Sequence, residues 1–317
     1  MILSMRHSLR VLFSLLVSTA VMAGEAPQAR LDAMSRGFRT LDYYGVFTYE
    51  QGQTLSSHRI AHKVVGGVEQ ERVVHLDGDM REFHRAGHTS DCEHAGDRLL
   101  RLDPVRRLAR DAGTGFAEGI GAYYAIENEG PERVASRMGQ RLRIMPRDPY
   151  RYGMIMVLDD ESALLLKSET VDGIGRVLER FQFVELHVGE AGSDGDVGAA
   201  RIEEAHLDEP ASAEAPTFDW TVSWLPGGFV RSAEVRHQPP MAAGPVEIRT
   251  YTDGLAVFSI FVENSVKDPS GPGVASRGAT VSYVVPRGRG HLVTVVGEIP
   301  VQTAQLIANA VNFPDEN

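Results

Sequence analysis

Residues 146–188 read PRDPYRYGMIMVLDDESALLLKSETVDGIGRVLERFQFVELHV, and the pattern within them decides the fold. Gly153 to Leu158 is apolar on both parities, and Ala163 to Leu166 is continuously apolar. Val177, Phe181 and Phe183 then alternate with Leu178, Val184 and Leu186 around charged positions. Asp159-Asp160-Glu161-Ser162 and Asp172-Gly173 supply the turns, because short polar side chains and glycine accept the turn backbone. The stretch predicts an antiparallel meander of three strands with both faces largely covered. None of the three sets a serine, histidine or cysteine in a catalytic arrangement, so the meander reads as a scaffold or a binding surface.

Towards the N-terminus, Leu31, Met34, Phe38 and Leu41 recur at helical spacing and predict an amphipathic helix of about four turns. From Tyr44 the period becomes two. Strands are expected at 44–49, 58–64, 69–76 and from 80, with turns at Gly66-Gly67 and Asp77-Gly78. The segment from Leu99 to Ala125 is less regular, with a short helix opened by Pro104 and a second helical or irregular cover. Leu142 and Ile144 alternate with Arg141 and Arg143, which predicts a strand entering the meander. Towards the C-terminus, residues 189–216 carry eight acids against one arginine among Gly, Ala, Ser and Pro, the composition of a domain boundary. A short helix around Ile202 to Leu207 fits within it. Six strands follow at 218–224, 228–236, 246–252, 255–262, 280–285 and 291–298, then a terminal helix from about Val301 to Val311.

At 317 residues the chain is long enough for two domains at roughly 100–200 residues each. Arg6 and Arg10, the apolar run from Val11 to Val17, and Val21-Met22-Ala23 before Gly24 form the three parts of a secretory signal peptide, with cleavage expected after Ala23. The apolar run falls short of the ~20 residues that span a bilayer. The expected organisation is therefore a signal peptide at 1–23, a large domain at 24–200, a linker at 201–216 and a small domain at 217–317. Removing the signal takes away two arginines and no acid, moving the formal net charge from −11 to −13. Such a surface disfavours nucleic acid and suits a basic partner. Cys92 is the only cysteine, which rules out an intramolecular disulfide and leaves stability to core burial.

No cofactor, metal or catalytic residue is expected. His84, His88, Cys92 and His94 have the ligand types of a zinc site but not the paired spacing of a known module. His58 and His62 lie about 13–14 Å apart along one strand, too far to chelate a single ion. Gly113-x-Gly115 lacks the strand and lysine of a phosphate loop, and no G-x-S-x-G occurs. Two residue sets remain. Arg133, Arg137, Arg141, Arg143, Arg147 and Arg151 form the densest basic region of an acidic chain: a solvated face, or a rim that contacts anions or a partner. Tyr44, Phe47, Tyr49, Phe83, Met154, Met156 and Phe181 read as core, or as the lining of a concave sheet face left open for an acyl chain.

Seven stretches carry a resemblance that runs through both expected domains: LDYYGVFTY (41–49), ERVVHLDG (71–78), PRDPYRYG (146–153), GRVLERFQF (175–183), WLPGGF (224–229), YTDGLA (251–256) and VTVVGEIP (293–300). In these the chain resembles the periplasmic sigma-E regulatory proteins of the RseB/MucB family. The resemblance implies an α+β architecture: an N-terminal open antiparallel half-barrel with covering helices, like the lipoprotein carriers LolA and LolB, followed by a smaller antiparallel sheet domain with a terminal helix. It implies a non-catalytic role in the periplasm. The expected partner is the periplasmic segment of a membrane-spanning anti-sigma factor (RseA- or MucA-like), shielded from regulated proteolysis until lipopolysaccharide or a related lipid signals envelope damage. A homodimer is a further expected partner. A lipid or lipoprotein carrier is the alternative reading, against which the second domain argues. An exported metal-dependent hydrolase at His84–His94 is the third.

Overall fold

The computed structural model describes residues 26–78, 82–86, 116–189, 217–238, 244–264, 271–287 and 290–314. Helix α1 (Pro27–Thr40) opens the chain, with proline in its first turn where the missing N–H costs nothing, and it buries Leu31, Met34 and Phe38. Nine antiparallel strands follow: β1 (Tyr43–Gln51), β2 (Thr54–Val65), β3 (Val68–His75), β4 (Glu82–Ala86), β5 (Tyr124–Val134), β6 (Arg137–Pro146), β7 (Gly153–Asp159), β8 (Leu165–Val171) and β9 (Val177–Val188). Helix α2 (Phe116–Gly121) lies between β4 and β5. The sheet order β4-β3-β2-β1-β9-β8-β7-β6-β5 makes two meanders joined where β1 pairs with β9. Strand β5, an edge, comes back into contact with β9, so the sheet is curled but open.

The expected meander is β7-β8-β9, with Asp159 to Ser162 and Asp172 to Gly175 as its turns. Its inner face carries Met154, Met156, Phe181 and Phe183 into one core with α1. Strand β7 is buried along its whole length. On the outer face, Ile155 and Val157 sit in register with Arg143, Arg141, Lys167 and Glu169, whose long stems flank them.

The second sheet has the order β11 (Val230–His237), β12 (Val246–Thr252), β13 (Val257–Asn264), β16 (His291–Gly297), β15 (Thr280–Arg287), β14 (Gly273–Arg277). Helix α3 (Val301–Asn309) packs Ala304, Ile307 and Ala308 on one face of it. A two-residue bridge joins β10 (Thr221–Val222) to β17 (Val311–Asn312).

Three elements differ from expectation. Residues 218–224 form only the β10 bridge, because Phe218 and Trp220 stack on each other, and Arg249 lies 4.0 Å over the Trp220 ring. Strand β5 takes the place of irregular cover; Gly130 and Pro131 interrupt its alternation, and the register shifts there. Strand β14 was not foreseen, being a short exposed edge. The expected helices at 104–110 and 202–207, the His88–His94 cluster and the linker lie outside the described residues.

Candidate functional site

Side-chain period two sorts the apolar set into two groups. Phe47, Tyr49, Met154, Met156 and Phe181 share the inner face, as the pairings Tyr49↔Phe181, Phe47↔Phe183, Phe181↔Ser168 and Ser168↔Met156 require. The Phe47 ring lies 4.9 Å from that of Phe181, and Met156 and Phe181 are 1% and 0% exposed. This face is packed with side chains from α1 and the sheet. Tyr44 stands apart: its parity puts it on the outer face, stacked on His187 at 4.6 Å. Phe83 holds the register position opposite Val73 on β4, and its side chain lies outside the described residues.

The arginines do not form one rim. Arg137 grips Asp159 with two 2.8 Å hydrogen bonds and also reaches Glu161. Arg141 and Arg143 belong to a chain of alternating charge across the outer face: Arg143–Glu129–Arg141–Glu132–Lys167–Glu169–Arg180–Glu50, with links of 2.6–3.8 Å. Burial pushes the Glu132 and Glu169 carboxyls up, and the hydrogen bonds and charges of their cationic neighbours outweigh it, leaving both below the ordinary value. Arg133 and Arg147 are exposed and pair with no carboxylate among the described residues.

Arg151 does something else: it joins the two sheets. Its side chain and that of Asp253 are both 0% exposed and meet at 2.6 Å. The guanidinium also donates to the Gly227 carbonyl at 2.5 Å and to Asp148, and lies 5.0 Å from the ring centroids of Tyr123 and Phe229. Tyr124 donates to the same Asp253 oxygen at 2.9 Å, while the other oxygen accepts the Leu255 and Ala256 amides. Burial, then the Asp253 charge, pushes the Tyr124 phenol well above its ordinary value, which keeps its proton for that bond. Burial works against the Arg151 charge, but Asp253, Tyr124 and Asp148 more than offset it.

A second clasp lies nearby. Glu179 accepts from Tyr49 at 2.8 Å, from Gln51 at 3.0 Å and from the Ala279 amide of the second sheet at 2.9 Å. Gly278, with φ +58°, passes so close that a Cβ there would lie 2.7 Å from Gln51 and Glu179 atoms. Thr303 of α3 donates to the Tyr150 carbonyl at 3.0 Å.

Family models of the MucB/RseB N-terminal domain and the MucB/RseB C-terminal domain match residues 26–211 and 214–312 in turn. The chain belongs to the MucB/RseB family. It is 33% identical over 312 residues to the sigma factor AlgU regulatory protein MucB of Pseudomonas aeruginosa, covering 96% of each chain. It is 30% identical over 304 residues to the sigma-E factor regulatory protein RseB of Escherichia coli K12, covering 95% of each. Its fold matches the crystal structure of MucB in complex with MucA(peri) with a TM-score of 0.74 at 30% identity, over 91% of this chain and 99% of that one. Against the crystal structure of MucB the TM-score is 0.65, over 92% and 99%.

Three of the MucB/RseB-like stretches meet at the seam. PRDPYRYG brings Asp148, Tyr150 and Arg151, WLPGGF brings Gly227 and Phe229, and YTDGLA brings Asp253, Leu255 and Ala256. Sequence reading missed Tyr124, Glu179 and Asp253 as a group. The signal available was that the family resemblance runs through all three of these separated stretches.

Proposed function

We propose that this chain is an exported, non-catalytic regulator. In this reading it binds the periplasmic segment of a MucA- or RseA-like anti-sigma factor, shields that segment from regulated proteolysis, and releases it on meeting lipopolysaccharide or a related lipid. The observation that carries the reading is the match of both domains, in order and over nearly the whole chain, to MucB crystallised with MucA(peri). The division at 24–200, 201–216 and 217–317, cleavage after Ala23 and a second copy as a further partner belong to the same proposal. No helix among the described residues is long and apolar enough to cross a membrane.

The lipid arm rests on the inner face of the first sheet. Phe47, Tyr49, Met154, Met156 and Phe181 are the side chains an acyl chain would meet once α1 moves aside; Phe83 remains a candidate on its sequence position alone. Of the six arginines, Arg133 and Arg147, which pair with no carboxylate among the described residues, are the ones assigned to phosphate or partner carboxylates. Tyr49 supplies a route between the two ligands, because its ring packs against the inner-face core while its hydroxyl holds Glu179, which in turn holds Ala279. A tenfold loss of partner affinity on lipid binding needs a coupling of about 1.4 kcal/mol, comparable to one or two such hydrogen bonds.

The test is binding of the mature protein to a peptide spanning the periplasmic segment of the anti-sigma factor, with and without lipopolysaccharide micelles. The expected result is saturable binding that lipid weakens at least tenfold. No binding overturns the regulator reading; binding that lipid leaves unchanged overturns the lipid arm alone. Tyr49→Phe, which keeps the ring and removes the donor, is expected to bind the peptide and respond less to lipid.

A further inference from the structure

Along β2, His58 meets no second ligand for an ion, because His62 on the same face stands about 13–14 Å away at normal strand rise. Across the ladder it does. The β2–β3 register sets His58 directly opposite His75, and the two rings lie 4.7 Å apart between centroids with their planes at 89°. Both face the inner side of the first sheet, since His58 is itself opposite Phe47, which packs on Phe181. Both are half-buried, at the margin of the core, with Ile60 and Val73 in the neighbouring row.

Three features suit this pair to a metal ion. The first is separation. Metal–nitrogen bonds of about 2.0–2.1 Å meeting at roughly 90–109° put two imidazole centroids on one ion roughly 4.5–5.2 Å apart, and 4.7 Å falls within that span. The second is the state of His75. Its Nδ1 lies 2.5 Å from the Asp77 carbonyl, which can only accept, so Nδ1 carries the proton and the lone pair sits on Nε2. A ring N–H given to a backbone carbonyl is the hydrogen bond that orients metal-ligating histidines. The third is the support of His58. The Phe47 ring stacks on it at 4.9 Å and 12°, and Ser56 Oγ lies 2.9 Å from its Nε2, a hydroxyl that rotates to suit either tautomer. The surrounding chain, with a formal net charge of −11, draws cations.

We propose that His58 and His75 together hold a divalent transition-metal ion of the zinc or copper class, for which imidazole is a preferred ligand. No group of three or more histidine, cysteine, aspartate or glutamate side chains placed to hold a metal occurs among the described residues, so water completes the coordination. Two imidazoles make an exchangeable site that fills and empties with the metal supply, unlike the closed four-ligand site of a structural zinc. The ion bridges β2 to β3 and staples the wing of the first sheet that extends from β1 to β4. Phe47 links that staple to the inner face, because its ring lies 4.9 Å from both His58 and Phe181.

The test is calorimetric titration of the chelator-treated mature protein with zinc sulfate, alongside two variants that each remove one ligand. His58→Phe keeps the stack on Phe47, and His75→Gln keeps a donor for the Asp77 carbonyl. His187→Ala, on the outer face, is the control. The expected result is one ion per chain for the natural sequence and the control, and at least tenfold weaker binding for both variants. Zinc should also raise the thermal midpoint of the natural protein, a shift that both variants lose. With copper(II) in place of zinc, electron paramagnetic resonance should show two coordinating nitrogens, and one in either variant. Should one variant fail to fold by circular dichroism, the other decides alone. A natural protein that binds no zinc up to roughly 100 µM overturns the proposal. Zinc binding that the folded variants retain at full strength is an adventitious ion only, and overturns it equally.

Discussion

Arg151→Ala is the perturbation that tests the seam most directly. It removes a guanidinium buried with its partner, leaving the Asp253 carboxylate with Tyr124 and two backbone amides as its donors. Breaking a buried pair by deleting one member costs about 3–5 kcal/mol, because the remaining charge stays desolvated. The loss of the stacking against Tyr123 and Phe229 falls in the same step. At roughly 2–4 °C per kcal/mol for a chain of this size, the midpoint of thermal unfolding drops by roughly 6–20 °C. The loss falls on the docking of the two sheets, so unfolding is expected to split into two transitions, followed by far-ultraviolet circular dichroism and by Trp220 and Trp224 fluorescence, which report the second domain. Arg151→Met with Asp253→Asn removes both charges while keeping an acceptor for the Leu255 and Ala256 amides. The pair is expected to cost less than the sum of the single changes, by up to about 3 kcal/mol. A cost below about 1 kcal/mol for Arg151→Ala, with a single coincident transition, would show that the contact contributes nothing to docking.

Gly278→Ala places a Cβ in the left-handed region and against Gln51 and Glu179, and is expected to destabilise by about 1–3 kcal/mol in urea titration; an unchanged midpoint would mean that the second clasp is slack. Phe181→Ala empties the centre of the inner-face core at a cost of about 3–5 kcal/mol, read in the same titration, and a loss under 1 kcal/mol would mean the face collapses to fill the space. Acid sensitivity follows from Glu132, Glu169 and Asp159: burial raises each, but hydrogen bonds and charges from Arg141 and Lys167, Arg180 and Lys167, and Arg137 with Ser162 respectively hold them below 4.5, 4.5 and 3.8. Carboxyls depressed in the folded state contribute fully above those ordinary values and lose that contribution as pH falls through the lower folded ones. Urea midpoints should therefore hold above about pH 5 and fall below about 4.5, and Asp159→Asn should shallow that fall; a flat profile to pH 3 would contradict the assigned pairs.

The sequence by itself determined the elements whose signal is local. The meander at 146–188, helix α1, helix α3 and most strands of the second sheet follow from side-chain periods of two and 3.6, since these decide burial within one element. Strands β5 and β14 escaped because edges carry charges, Gly or Pro in place of alternation, and 218–224 escaped because its aromatics stack with an arginine instead of pairing as a strand. The parity of Tyr44 was also legible, but only once β1 was fixed as to which face is inward. The roles of the arginines were not legible. Arg137, Arg141 and Arg143 look alike in sequence to Arg133 and Arg147, yet the first three are held by carboxylates brought from other strands. Arg151 is buried against Asp253, 102 residues away. Three motifs that read singly as turns became one clasp because the curled sheet and its neighbour bring them to the same place. Periodicity sets which way a side chain points; what it meets there is a property of chain segments far apart, which only packing brings together.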